Sequence, residues 1–108
     1  MKLKPILPSL REKKRYIAFE VKTEENVDFN EVKTAIESAM KGFLGDLGMA
    51  HAGAIFLPDW KNNHGIVRVN SNMVDHTKAS LALVTHIAGQ KATVHSVAVS
   101  GVINKLRI

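Results

Sequence analysis

The sequence predicts an α+β two-layer sandwich, with elements in the order β-α-β-β-α-β and two helices on one face of a four-stranded antiparallel sheet. Three observations predict it. Ile17, Phe19 and Val21 alternate with Tyr16, Ala18, Glu20 and Lys22, the two-residue period of a strand with one buried face. Phe29, Val32, Ile36, Met40 and Phe43 recur at three- and four-residue steps, as on a helix with one apolar stripe. Both signals then return in reverse setting: two short apolar runs around a turn, a second helical stripe, and a closing run rich in β-branched residues.

Taken in order, "RYIAFEVKT" is the first strand. Asp28, with Glu31 three residues on, forms a capping-box pattern that opens the first helix. That helix is expected to run about four turns and to end among Gly42, Gly45 and Gly48. "AHAGAIFLPDW" reads as the second strand, stopped by Pro58, and "DWKNNHG" as a hairpin connection. "GIVRVN" follows as the third strand, with Val67 and Val69 on one face and Ile66, Arg68 and Asn70 on the other. Ser71 or Asn72 caps a second helix whose inward side is Val74, Thr77, Leu81, Val84 and Ile87, with Gly89 as its C-terminal cap. "KATVHSVAVSG" is the fourth strand; either Val94 and Ala98 or Thr93, Val97 and Val99 face inward. "VINKLRI" adds a helical turn. Right-handed crossovers around a central hairpin make this the ferredoxin-like, RNA-recognition-motif-like sandwich, which leaves one sheet face uncovered for a partner.

The charge is placed unevenly. Residues 1–15 hold six basic residues against Glu12 alone, and residues 16–108 hold nine of each sign, so the whole excess of +5 lies in the first fifteen positions. We divide the chain into a basic arm, 1–14, and a single domain, 15–108. A basic arm on a neutral body is the footprint of a polyanion partner or of a solubility tail. With no cysteine there is neither a disulfide framework nor a thiolate metal site, as suits a reducing compartment. No run approaches the ~20 apolar residues of a membrane helix. Pro5 and Pro8 interrupt the short apolar start, which reads as a mature cytoplasmic terminus rather than a signal peptide.

No constellation for chemistry emerges. The five histidines are widely spaced, without the helical pairing a metal site needs, and no metal site or catalytic residue is expected. No serine sits in a nucleophile elbow. Gly45 and Gly48 have the spacing of a nucleotide-clamping loop, but Asp46 between them would repel phosphate, and a helix-to-strand turn fits better. The first strand offers one outward aromatic, Tyr16, and the third offers none, which argues against reading bases by stacking. What remains is backbone clamping: Arg11, Lys13, Lys14 and Arg15 as phosphate contacts, Arg68 and Asn70 supporting them with a guanidinium fork and an amide, and Lys105 and Arg107 as outer candidates.

"PSLREKKRYIAFEV" (8–21), "HGIVRVNSNMVDHTKASLAL" (64–83) and "VHSVAVSGVINKL" (94–106) resemble, in this order and spacing, the archaeal ribonuclease P protein component 2 family, shared with eukaryotic ribonuclease P and MRP particles. The resemblance implies a protein subunit of the ribonucleoprotein that removes the 5′ leader from precursor tRNA. The partner RNA would hold the magnesium ions and perform the hydrolysis, so the isolated chain would be inactive and bind no cofactor of its own. The implied partners are ribonuclease P RNA, precursor tRNA in the assembled enzyme, and ribonuclease P protein component 3 in a two-plus-two assembly, with no membrane. Some family members continue into further C-terminal helices, so contacts made there are not carried over. Two other classes share the fold: a small-molecule regulatory domain, and an acyl-phosphate hydrolase that would use Arg15 and Asn70.

Overall fold

A computed structural model describes residues 13–106, so Arg11 and Arg107 lie outside the described residues. The central strand is β1 (Lys14–Thr23), which takes in the last residue assigned to the arm. After α1 (Phe29–Ala52) come β2 (Ile55–Phe56) and β3 (His64–Asn70), then α2 (Val74–Ala82), β4 (His86–Ile87) and β5 (Gln90–Ser100). The antiparallel sheet has five strands in the order β2-β3-β1-β5-β4, not the expected four. The architecture is otherwise broadly ferredoxin-like, with both helices packed together on one face.

The core lies between that face and the helices. From β1 it takes Ile17, Phe19 and Val21; from α1 Val32, Ile36 and Met40; from β3 Val67 and Val69. The capping box opens α1 as expected, with the Asp28 N–H donating to Glu31 Oε1 at 3.0 Å. Asn62 and Asn63 form the hairpin turn at φ 52° and 59°, a conformation that asparagine tolerates, and Lys61 and His64 close it.

Four expectations change. First, α1 does not end at its glycines. Gly45 leaves helical geometry at φ 73°, which a glycine adopts without strain, and the helix resumes to bury Ala52. The real terminus is Gly53, at φ 54°, whose N–H reaches Met49 O at 3.2 Å. Phe43, just before the kink, is half exposed, so the buried stripe stops at Met40.

Second, α2 is short. Val84 and Ile87 are buried, but Val84 lies in a connection and Ile87 in β4. Ala88 and Gly89, at φ 53° and 82°, form the two-residue turn of a β4–β5 hairpin rather than a helix cap. Third, the predicted second strand shrinks to two residues because Ala50–Ala52 belong to α1. Fourth, Ile66 and Asn70 are buried, so the outer face of β3 is not simply open.

The face of β5 is decided by a bulge. Ala18 pairs with Ala98 and Phe19 with Ser96, which leaves Val97 as the extra residue. Ala92 and Val94 are therefore buried, and Val97 is 58% exposed. A short helical turn, Ile103–Lys105, follows β5.

Candidate nucleic-acid interface

Residues paired across neighbouring strands share a face, so the register orders the surface opposite the helices into rows. The first row is Ser100, Tyr16, Arg68 and Ile55; the second is Ala98, Ala18 and Ile66; the third is His95, Glu20 and His64. Lys14, paired with Asn70, stands before them all, where the arm enters the sheet. Successive rows lie ~7 Å apart along the strands.

The point of entry is held by a relay of hydrogen bonds. The Ser71 N–H donates to Lys13 O at 2.6 Å, which extends the β1–β3 pairing one residue beyond the sheet. Lys14 Nζ donates to Asn70 Oδ1, and Asn70 Nδ2 donates to His51 O near the end of α1. Asn70 is only 4% exposed. Its amide is committed on both sides, so it does not stand on the open face as the sequence reading had it. It orients a lysine instead. The same commitment removes the amide that the hydrolase reading would pair with Arg15.

Lys13 is exposed and Arg15 half-buried. The Arg15 guanidinium donates through Nη1 to Lys14 O at 3.0 Å and runs beside Gly101, where a Cβ would come within 3.4 Å of Nη1. Lys13, Lys14, Arg15 and Asn70 thus converge at one end of the sheet. Arg68 sits in the adjoining row between Tyr16 and Ile55. Its Nε is buried without a hydrogen-bond partner, a donor whose desolvation is not compensated within the described residues.

Lys105 lies two rows from the arm, at the rim of a hollow of about 600 Å³. Ala18, Ile66 and Ala98 line this hollow together with Trp60, Lys61 and Leu106. Sequence reasoning missed Trp60 and Lys61, which belong to the connection between β2 and β3. The available signal was the chain's single tryptophan next to a turn, since the turn places that ring beside the strand edge. Gly65, paired with Phe19 on the core-facing side of β3, makes room there for the Trp60 ring: a Cβ would lie 2.6 Å from the Phe19 ring and 3.1 Å from Trp60. The Trp60 ring is then braced by Phe19 and Phe29, with centroids 6.4 and 6.0 Å away.

Asp59 also lines the hollow, and the third row adds a second carboxylate, Glu20. Glu20 Oε2 lies 3.5 Å from His64 Nε2, and His64 Nδ1 lies 2.8 Å from Asn62 O. Among the described residues no three histidine or acidic side chains gather to hold a metal, and no helix is long and apolar enough to cross a membrane. The arrangement is a graded surface: cations at the arm, a guanidinium, an apolar hollow lined also by Asp59, Lys61 and Lys105, and a row holding Glu20.

Comparison with known proteins agrees with the fold. The model of the Rpp14/Pop5 family matches residues 15–108. Ribonuclease P protein component 2 of Pyrococcus abyssi is 40% identical over 108 residues, covering 99% of this chain and 92% of the relative. The protein of that name from Thermococcus gammatolerans is 44% identical over 107 residues, covering 98% of this chain and 89% of the relative. That of Methanosarcina mazei is 37% identical over 103 residues, covering 95% and 88%. A chain in the cryo-EM structure of yeast ribonuclease MRP superposes with a TM-score of 0.72 at 17% identity, over 91% of this chain and 81% of that one, which is a likeness of fold.

Proposed function

This chain belongs to the Rpp14/Pop5 family, and from that premise we propose that it is an RNA-binding subunit of ribonuclease P that assists removal of the 5′ leader from precursor tRNA. The observation that carries the reading is the convergence of Lys13, Lys14 and Arg15 at the sheet end beside Arg68, whose buried Nε lacks a partner. Arg68 as a whole is half-buried, so the accessible part of its guanidinium can meet a phosphate oxygen, and a line of cations follows a nucleic-acid backbone without reading its sequence. The names of the relatives support the enzyme to which the subunit belongs. On this reading the partner RNA carries the chemistry with its own magnesium. This chain supplies electrostatic and positional support beside ribonuclease P protein component 3, in a two-plus-two assembly.

The test is cleavage of a precursor tRNA at moderate magnesium by the cognate RNA, with component 3 alone, this chain alone, and both. Both together should raise the rate where neither does singly; a rate unmoved by folded protein sinks the reading. Replacing Arg11, Lys13, Lys14 and Arg15 with alanine should weaken RNA binding and reduce the slope of log affinity against log salt by ~3, at roughly 0.7–0.9 per phosphate contact. A slope that does not change would remove the arm from the interface.

A further inference from the structure

We propose that Lys22, Lys91, His86 and Thr93 form a second RNA-backbone contact at the far end of the open sheet face, reached by the same RNA that the arm holds. The proposal rests on the RNA-binding reading above and deepens it by giving the RNA a second point of attachment and hence a path.

The register puts these side chains together. Lys22 pairs with Thr93 across β1 and β5, and Lys91 pairs with His86 across β5 and β4. Thr93 and Lys91 are two positions apart on β5, so both rows stand on the face that carries Tyr16, Ala18 and Glu20. Lys22 and Lys91 are therefore diagonal neighbours, ~7–8 Å apart. All four side chains are exposed. The Glu25 N–H donates to Gln90 Oε1 at 3.2 Å, which ties the exit of β1 to the start of β5 close to the two lysines.

These groups are uncommitted within the protein. Among the described residues neither lysine forms an ion pair, and the Thr93 hydroxyl makes no hydrogen bond. His86 Nδ1 lies 3.1 Å from Thr85 Oγ1, which leaves Nε2 for a partner. All four residues line a hollow of about 580 Å³, in which Glu24 is the one carboxylate among the lining residues. Two like charges side by side repel each other in the free protein, and a phosphate between them removes that repulsion. No aromatic side chain lines this hollow, so the contact is to the backbone alone.

The length of β1 sets the span. Lys14 and Lys22 stand on the same face at the two ends of the strand, ~26 Å apart at ~3.3 Å per residue. Between them Glu20 lies 3.5 Å from His64, and Asp59 lines the hollow beside Ala18. Both carboxylates repel phosphate, so the backbone crosses the middle of the face without contact and is attracted at the ends. A stacked strand advances ~3.4 Å per nucleotide, and ~8 nucleotides separate one end from the other. An RNA held at the arm carries an anion at every nucleotide, which makes its arrival at the second end an intramolecular event. An acidic protein would need a carboxylate at one fixed place.

Full-length protein would be titrated with single-stranded RNAs of six and sixteen nucleotides over a range of salt. For the longer RNA, Lys22→Ala/Lys91→Ala should reduce the slope of log affinity against log salt by ~1.4–1.8, at roughly 0.7–0.9 per contact. The same slope implies a ~15- to 30-fold loss of affinity near 0.15 M salt. The shorter RNA, held at the arm end, should lose about twofold or less, and the melting temperature should not move. Lys22→Arg/Lys91→Arg keeps both charges and should restore binding. Lys33→Ala/Lys78→Ala removes the same charge from the helices and should leave binding of the longer RNA near native. A slope unchanged by Lys22→Ala/Lys91→Ala overturns the proposal, as do equal losses for the two RNAs or an equal loss from the helix variant. Loss of component 3 association with RNA affinity intact would make this end a protein site and overturn it too. Failure of the folded native protein to bind either RNA would instead strike the RNA-binding reading itself.

Discussion

The two faces of β1 do different work. Toward the helices it presents Ile17 and Phe19 at 0% exposure and Val21 at 2%. Away from them it presents Lys14, Tyr16, Ala18, Glu20 and Lys22, none of which is fully buried. Each buried apolar side chain contributes ~1.5–3 kcal/mol, whereas the other face holds one charge, one ring and one hydrogen-bonding group at a time, spaced for a partner. A single strand in the middle of the sheet therefore separates stability from recognition by parity alone. From Tyr16 to Lys22, substitutions on odd positions should move the unfolding curve, and those on even positions should move affinity; Arg15, at the strand's entrance, is an odd position assigned to RNA.

The largest effect belongs to Phe19. Its ring meets Phe56 edge-on at 6.3 Å and supports Trp60, so Phe19→Ala opens a cavity and loosens the packing of Trp60 together. The expected loss is ~3–5 kcal/mol by denaturant titration, against a total of ~5–15 kcal/mol for a domain of this kind. A loss below ~1 kcal/mol would mean that the site collapses around the deletion and that the core face is less committed than its burial implies.

Asn70 should give an intermediate effect, because it sits where the parity rule fails. It shares the recognition side of the register with Lys14, yet its amide is buried between the arm and α1. Asn70→Ala leaves the His51 carbonyl without its side-chain donor and Lys14 without its acceptor, at ~1–3 kcal/mol. It should also weaken RNA binding by misplacing Lys14. Asn70→Asp separates the two roles: it retains an acceptor for Lys14 but has no donor for His51, so affinity should recover more than stability. If Asn70→Ala is neutral in denaturant, the relay contributes nothing and the sharp contrast between faces extends to the end of the strand.

Asn70 also marks how far the sequence could be read. The alternation in β1 and the capping box at Asp28 are local signals, and both were legible. So was the Asn62–Asn63 turn. The α2–β4 boundary was not, because Leu81, Val84 and Ile87 keep a three-residue step while the chain passes from helix to strand, and burial alone cannot tell the two apart. Nor was the inward face of β5, which depends on a bulge opposite Ala18 and Phe19 that only the partner strand defines. The candidate site divides in the same manner. A dense run of charge at Lys13–Arg15 is visible in any sequence. The hollow is assembled from β1, β3, β5, a loop and a terminal turn, and its alanine floor exists only once the register is known.

Arg68 should show the smallest change in stability and the opposite sign. Among the described residues its Nε is buried without a partner, so the isolated protein carries a desolvated donor with no return. Methionine has a similar length and no such donor, and Arg68→Met should stabilise the free protein by ~0.5–1 kcal/mol, a fraction of the cost of an unsatisfied group. RNA affinity should fall at the same time, because the guanidinium that meets a phosphate would be lost. Stability gained against function lost is the pattern of a residue kept for its partner. A destabilised Arg68→Met protein would show instead that the guanidinium braces Tyr16 and Ile55 in the free state. The outer face of β1 and β3 would then share in holding the fold, and the separation between the two faces would be one of degree.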